Sequence, residues 1–277
     1  MEPPTGSGQS HVNGSITMSN TGRSAQNHLS IVIGDREFKG IKLIASEVEL
    51  YLNLFDQLFT GISIAEMDVE FADDSNSLHY IRKFTEKKFT IGVLNFKVSS
   101  AIQLEHSLGL MEAFPAAKYS MKLYYEPVPV KLLTIPRMEY LEIMPKAAVT
   151  SFIPTAIFLK AITTQEDLYF GVDCVALTAA EWKESMQVLS AAGGTRMVQF
   201  PLSCATVVNC LTDFGISSKS QDGERIGEFE VLSCEGPSSD GTAHFRLGKC
   251  FTRIQGLSWT GGEGLCSVTL ETNEEWQ

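Results

Sequence analysis

Residues 242–277 read TAHFRLGKCFTRIQGLSWTGGEGLCSVTLETNEEWQ. A first apolar segment runs Ala243, Phe245, Leu247, Cys250, Phe251, Ile254, Leu257, Trp259, and a glycine-rich turn follows at Gly261-Gly262-Glu263-Gly264. On the return, Leu265, Ser267 and Thr269 alternate with Cys266, Val268 and Leu270, the period of a pleated strand with one buried face. The pattern predicts a β-hairpin that ties down the end of a β-rich domain.

Upstream of the hairpin, Thr178 and Glu181 have capping-box spacing, Leu177 and Trp182 take the staple positions, and Gly193 stands where a helix must stop. These signals predict one well-defined helix over 178–192, with Trp182, Met186 and Leu189 as its apolar stripe. Residues 203–214, with Gly215 behind them, read as a second helix, but Thr206-Val207-Val208 is β-branched and leaves a strand open. Residues 167–172 read as a strand.

Strand signals fill the first half: 29–33, 38–43 beyond a Gly34-Asp35 turn, 47–52 with strict alternation, and 89–98. From Gly61, Ile62 and Ile64 share a face, and Met67, Val69 and Phe71 resume the alternation after a one-residue slip at Ala65-Glu66, the mark of a β-bulge. Asp73-Asp74-Ser75-Asn76 reads as a loop. Six of the ten prolines lie between Pro115 and Pro154. Proline cannot donate to a ladder, so this stretch is read as edge strands and extended connections, and as the seam between two halves. The organisation expected is a flexible N-terminal arm over 1–28, a β-rich domain over 29–150, and a second over 151–277 carrying the helix and the terminal hairpin. The arm is expected because Gly, Ser, Asn, Thr and Gln bury too little surface to offset the entropy of ordering.

The 277 residues are 44% apolar, enough to fill the core of one large β domain or two ordinary ones. No apolar run approaches the roughly 20 residues needed to cross a bilayer, and residues 1–28 lack the basic-then-apolar order of a signal peptide. The expectation is a soluble protein kept in the cytosol, without membrane insertion. The net charge of −11 repels a phosphate backbone and disfavours coating of nucleic acid, but suits a passage through which DNA slides without sticking.

Catalytic signatures are missing. Gly248-Lys249 lacks the upstream glycine of a phosphate-cradling loop, and neither a G-x-S-x-G elbow nor an H-E-x-x-H occurs. The six cysteines show no C-x-x-C and no paired histidine spacing, so they read as buried free thiols, with neither metal nor cofactor expected. A Cys250–His244 nucleophile and base is disfavoured, because a six-residue gap along a strand places the two at distant rungs of one face. Four aromatic positions remain as candidate subunit-interface residues: Phe55 and Phe59 in the knot before Gly61, and Trp259 and Trp276 flanking the terminal hairpin.

The order strand, capped helix, then a Gly-x-Cys-Phe step to Trp259, a turn, and a final strand reaching Trp276 resembles the closing segment of contractile-tail tube proteins of bacteriophages. Residues 50–71, LYLNLFDQLFTGISIAEMDVEF, followed by 89–98, resemble the opening of phage tail hub and baseplate proteins. The resemblance implies a mainly β chain with minor α: an antiparallel β-barrel or sandwich of the tail-tube type, in one or two β-rich halves. It implies a virion structural protein of the tail, assembled in the host cytoplasm. As tube, hub, adaptor or baseplate ring, it would join identical subunits and other tail proteins by sheet extension around a channel for DNA, and would not be an enzyme. Two other readings stand beside it. One is a β-sandwich binding module recognising a glycan or protein at aromatic residues such as Tyr124, Tyr125 or Trp259; the other is an enzyme using Cys250 or Cys266.

Overall fold

The computed structural model describes residues 12–20, 27–33, 36–42, 50, 53, 63–71, 90–113, 116–125, 135–145, 152–236 and 241–273. The chain forms two compact units, Met1–Leu123 and Tyr124–Gln277, dividing within the proline-bearing stretch.

In the first unit the strands are β1 (Val12–Asn20), β2 (Asn27–Ile33), β3 (Arg36–Lys42), β4 (Ser63–Glu70), β5 (Thr90–Val98) and all but the last two residues of β6 (Lys118–Tyr125), in the sheet order β6-β5-β4-β1-β2-β3. β1 pairs antiparallel with β2 and parallel with β4, so residues 12–20 form an inner strand where composition led us to expect a loose arm. β2 and β4 on either side supply backbone hydrogen-bond partners for β1. Residues 1–11 lie outside the described residues, as does the expected loop at Asp73-Asn76. The β-bulge falls where the slip in alternation put it: β1 steps from Val12↔Ile64 to Asn13↔Glu66, leaving Ala65 unmatched. Leu50 and Asn53 are helical, which corrects the strand expected over 47–52. The six-residue alternation there overlaps a helical spacing, since Val48, Tyr51, Leu52 and Phe55 also follow i, i+3, i+4, i+7.

Helix α1 (Ala101–Ala113) connects β5 to the parallel strand β6 and packs on β5. It was not visible in the pattern, because its buried face carries Gln103 and Ser107 beside Leu104, Leu110 and Met111. Those polar groups are satisfied locally: Gln103 Nε2 donates to the Phe71 carbonyl at 2.7 Å, and Ser107 Oγ to the Gln103 carbonyl at 2.8 Å.

The second unit contains β7 (Tyr140–Pro145), α2 (Thr155–Thr164), β8 (Asp167–Phe170), α3 (Ala179–Ala192), β9 (Arg196–Ser203), α4 (Cys204–Phe214), β10 (Arg225–Ile226), β11 (Phe229–Glu235), β12 (Gly241–Leu247), β13 (Cys250–Leu257) and β14 (Leu265–Thr272). Its strands lie in the order β10-β11-β12-β13-β14-β9-β8-β7. β7, β8 and β9 run parallel, while β9 to β14 and the β11–β14 meander are antiparallel. The antiparallel sheet expected from the sequence is therefore mixed in both units. Parallel neighbours need crossover connections, and α2 and α3 provide them here. Among the described strands no pairing closes either sheet into a barrel.

The terminal segment is also corrected. It is three strands rather than one hairpin, because Gly248-Lys249 turns the chain between β12 and β13, with Gly248 at φ 59°. Leu247 and Cys250 thus stay on one face although three residues apart. β14 is not an edge: it lies between β13 and β9.

α3 packs on α2, α4 and the β12–β14 strands, and α4 on β9 and β14. Thr178 and Glu181 form the capping box anticipated from the sequence, Ser203 caps α4, and Gly215 ends it in the left-handed region at φ 80°. Under α3 the core is aromatic: Trp182, fully buried, lies edge-on to Phe200 and Phe214 and tilted against Phe245. Inward positions of β12 (Ala243, Phe245, Leu247) and β14 (Cys266, Val268, Leu270) are buried. Of the opposite positions, Arg246 is half-buried and Arg253 and Gln255 are exposed. No helix among the described residues is long and apolar enough to cross a membrane.

Candidate functional site

The first unit carries a polar groove on the sheet face opposite its core. Ile64, Met67 and Val69 of β4, Leu94, Phe96 and Val98 of β5, and Met121 and Leu123 of β6 are buried. The alternate positions therefore point away from them, as the pleat requires. Parallel register then aligns these outward residues into rungs. Glu66 is level with Val93 and Lys118, Asp68 with Asn95 and Ser120, and Glu70 with Lys97 and Lys122.

Side-chain bonds fix the middle of the groove. Asn95 Nδ2 donates to Glu66 Oε1 at 2.6 Å and to Asp68 Oδ1 at 2.8 Å, so one amide holds two carboxylates in place. Lys97 Nζ approaches Glu70 Oε1 at 3.4 Å. The groove encloses about 520 Å³ and is lined also by Ser120 and Lys122. With both amide protons of Asn95 engaged, the remaining carboxylate lone pairs and lysine ammonium groups are what an incoming ligand meets. Asp68 and Ser120 stand two strands apart, roughly 10 Å, with Asn95 between them, which is too far for a base to activate a hydroxyl.

A second groove, of about 470 Å³, lies in the other unit at the carboxyl ends of β8 and β9, beside the first turns of α3 and α4. Its rim exposes Phe152 and Leu265. Such a position in parallel sheets commonly receives anions, but here the helix starts are already satisfied. Glu181 Oε2 accepts from the Thr178 backbone and hydroxyl, both at 2.8 Å, and Oε1 accepts from Thr155 Oγ1 at 2.5 Å. These three bonds hold the Glu181 carboxyl below its usual range, the Thr155 contact contributing most. A fixed carboxylate at that point repels phosphate.

Cys250, a nucleophile candidate of the enzyme reading, does not stand as an ionised thiolate. Burial pushes the thiols of Cys174, Cys210 and Cys234 up to about 11 and those of Cys250 and Cys266 up to about 12, so at neutral pH these five are protonated. The Cys250–His244 pairing considered from the sequence is separated further than expected. The turn at Gly248 places Cys250 on the helix-covered face, whereas His244 is half-buried on the other. Burial, and next the guanidinium of Arg253 opposite, lower the His244 pKa, favouring the neutral ring. Among the described residues no group of three His, Cys, Asp or Glu side chains is arranged to hold a metal ion.

Of the candidate interface residues, Phe55, Phe59 and Trp276 lie outside the described residues. Trp259 is half-buried just after β13, and its indole Nε1 is buried without a hydrogen-bond partner, so its polar end is turned inward. The sequence reading missed the groove residues Glu66, Asp68 and Asn95. Alternation along β4 and β5 was legible, but only the parallel register brings residues 27 and 29 positions apart into one hydrogen-bonded cluster. No protein-family model and no curated protein matches the chain.

Proposed function

We propose that this is a binding protein, and that it holds an extended polypeptide partner on the polar β4–β5–β6 face. The single observation that carries this reading is the pre-organised rung arrangement, in which Asn95 fixes Glu66 and Asp68 while Glu70, Lys97 and Lys122 offer both signs of charge alongside. Outward residues repeat every second position, about 6.5–7 Å along β4, the same repeat as the side chains of an extended peptide. A peptide rather than a glycan is favoured because no aromatic ring of the groove lies open for stacking against a sugar; its one aromatic, Phe96, is buried. Panning a random-peptide display library against the full chain tests the reading. Basic and polar sequences should be enriched, and titration calorimetry should find their binding lost in Asp68→Lys. Enriched peptides that bind Asp68→Lys unchanged would remove the groove from the proposal.

A second reading follows the tail-protein resemblance, a ring-forming virion component extended by sheet pairing between identical copies. What favours it is β3, which pairs with β2 and, among the described strands, ends the order of its unit. Sedimentation and negative-stain imaging of the purified chain distinguish the two. Closed annuli support the ring, and a monomer at high concentration counts against it.

A further inference from the structure

We infer that Cys204 and Cys266 are a redox couple that closes to an intrachain disulfide with hydrogen peroxide as oxidant and reopens with a thiol reductant. Their sulfurs lie 3.0 Å apart in the buried interior of the second unit, about 1 Å beyond the covalent sulfur–sulfur length of about 2.05 Å. Among the described residues no other pair of cysteines is joined by a sulfur–sulfur contact.

The backbone around the pair sets this approach. β9 and β14 pair in register with Leu202 opposite Cys266, and Cys204, two residues beyond Leu202, continues on the same face. The Cys204 N–H donates to the Gly264 carbonyl at 3.1 Å, so the ladder is prolonged past the strand end and both Cα positions are held by backbone bonds. Both thiols also converge on one acceptor, the carbonyl of Gly256, at 3.4 and 3.5 Å. Gly256, at φ 71°, is the extra residue where the β12–β13 register shifts, which turns its carbonyl toward the pair. Two donors on one carbonyl leave little to lose when the protons depart.

Cys204 is the first residue of α4, the helix end that favours negative charge, and it is the sulfur that attacks peroxide. Its S–O bond forms as the O–O bond breaks, and the departing oxygen leaves as water with the thiol proton. Cys266 then attacks the sulfenic sulfur: the S–S bond forms, the S–O bond breaks, and a second water carries off the hydroxyl and the Cys266 proton. Two thiols are oxidised and one peroxide is reduced to two waters.

The test treats the full chain with hydrogen peroxide and maps its peptides without reduction. The expected product has lost two hydrogens, links the Cys204 and Cys266 peptides, and reverts with dithiothreitol. Because the bond spans a sequence separation of 62, Tm should rise on the order of 5 °C on oxidation. Cys204→Ala and Cys266→Ala should each abolish the link, whereas Cys234→Ser, at a half-buried cysteine elsewhere, should retain it. Sulfinic acid without a cross-link, a link through Cys234, or unchanged thiols after peroxide would each overturn the proposal. The wild-type and Cys234→Ser maps decide it even where an alanine variant fails to fold.

Discussion

Gln165 Oε1 accepts the backbone N–H of Met138 at 2.8 Å, joining the residue that ends α2 to the approach to β7. The same amide donates through Nε2 to the Pro136 carbonyl at 3.2 Å, and Arg196 Nη1 donates to the Gln165 carbonyl at 2.7 Å. Gln165 is 2% exposed, so its side chain stands in for a strand where the proline-bearing segment cannot pair with itself. Gln165→Leu leaves the Met138 N–H buried without a partner, and should cost about 1–3 kcal/mol. Urea unfolding followed by tryptophan fluorescence measures it; a cost below 0.5 kcal/mol would show that the clamp is dispensable.

Gly92 is required by the bulge opposite it. A Cβ at Gly92 would sit 2.6 Å from the Ala65 carbonyl oxygen, a backbone atom that cannot swing aside. Gly92→Ala should destabilise the first unit by about 1–3 kcal/mol. Amide hydrogen exchange over β4 and β5 should accelerate in the variant while that of β12–β14 stays unchanged.

Trp182 presents two opposed effects. Its ring fills the centre of an aromatic cluster, but its Nε1 is buried without a partner. Trp182→Ala should cost about 3–5 kcal/mol from the cavity it opens. Trp182→Phe should cost less than half as much, since it removes the unpaired donor along with part of the ring. Equal losses in the two variants would mean that the donor finds a partner in solution.

Glu181 makes stability depend on pH. Its folded pKa lies below its unfolded value, so the folded state favours the carboxylate. The contribution is present above the unfolded pKa and is lost as pH falls through the folded one. Thr178→Ala removes the N-cap and should cost about 1 kcal/mol at neutral pH. The variant should also lose stability less steeply than the parent below pH 4, because the bond from the Thr178 hydroxyl to the carboxylate is lost, although those from the backbone N–H at position 178 and from Thr155 remain. Parallel acid-denaturation curves would contradict this.

Charge reversal in the groove should separate binding from folding. Asp68 is exposed, so Asp68→Lys should change stability by less than about 1 kcal/mol while lowering the affinity for a basic peptide at least tenfold. The effect should shrink as salt is raised toward 1 M. Circular dichroism and calorimetry on the same preparation provide both readouts.

The chain announces its local structure wherever a short-range rule acts alone. Thr178 with Glu181, Ser203 with Gly215 and the slip at Ala65 each concern residues within a dozen positions, where backbone geometry is set by neighbours, and each appears where the pattern placed it. The same local logic failed where two periods overlapped, at Leu50, and where burial took polar groups, at Gln103 and Ser107 of α1.

Sequence alone determined the caps, the alternation that assigns each strand an inner and an outer face, and the acidic balance. Tertiary structure alone decided that strands far apart in the chain run parallel, that Glu66, Asp68 and Asn95 share one cluster, and that Cys204 and Cys266 meet. The reason is that alternation fixes which face a side chain occupies but not which strand lies beside it or in which direction. Neighbour and direction follow from crossover helices and backbone register, which are properties of the whole sheet.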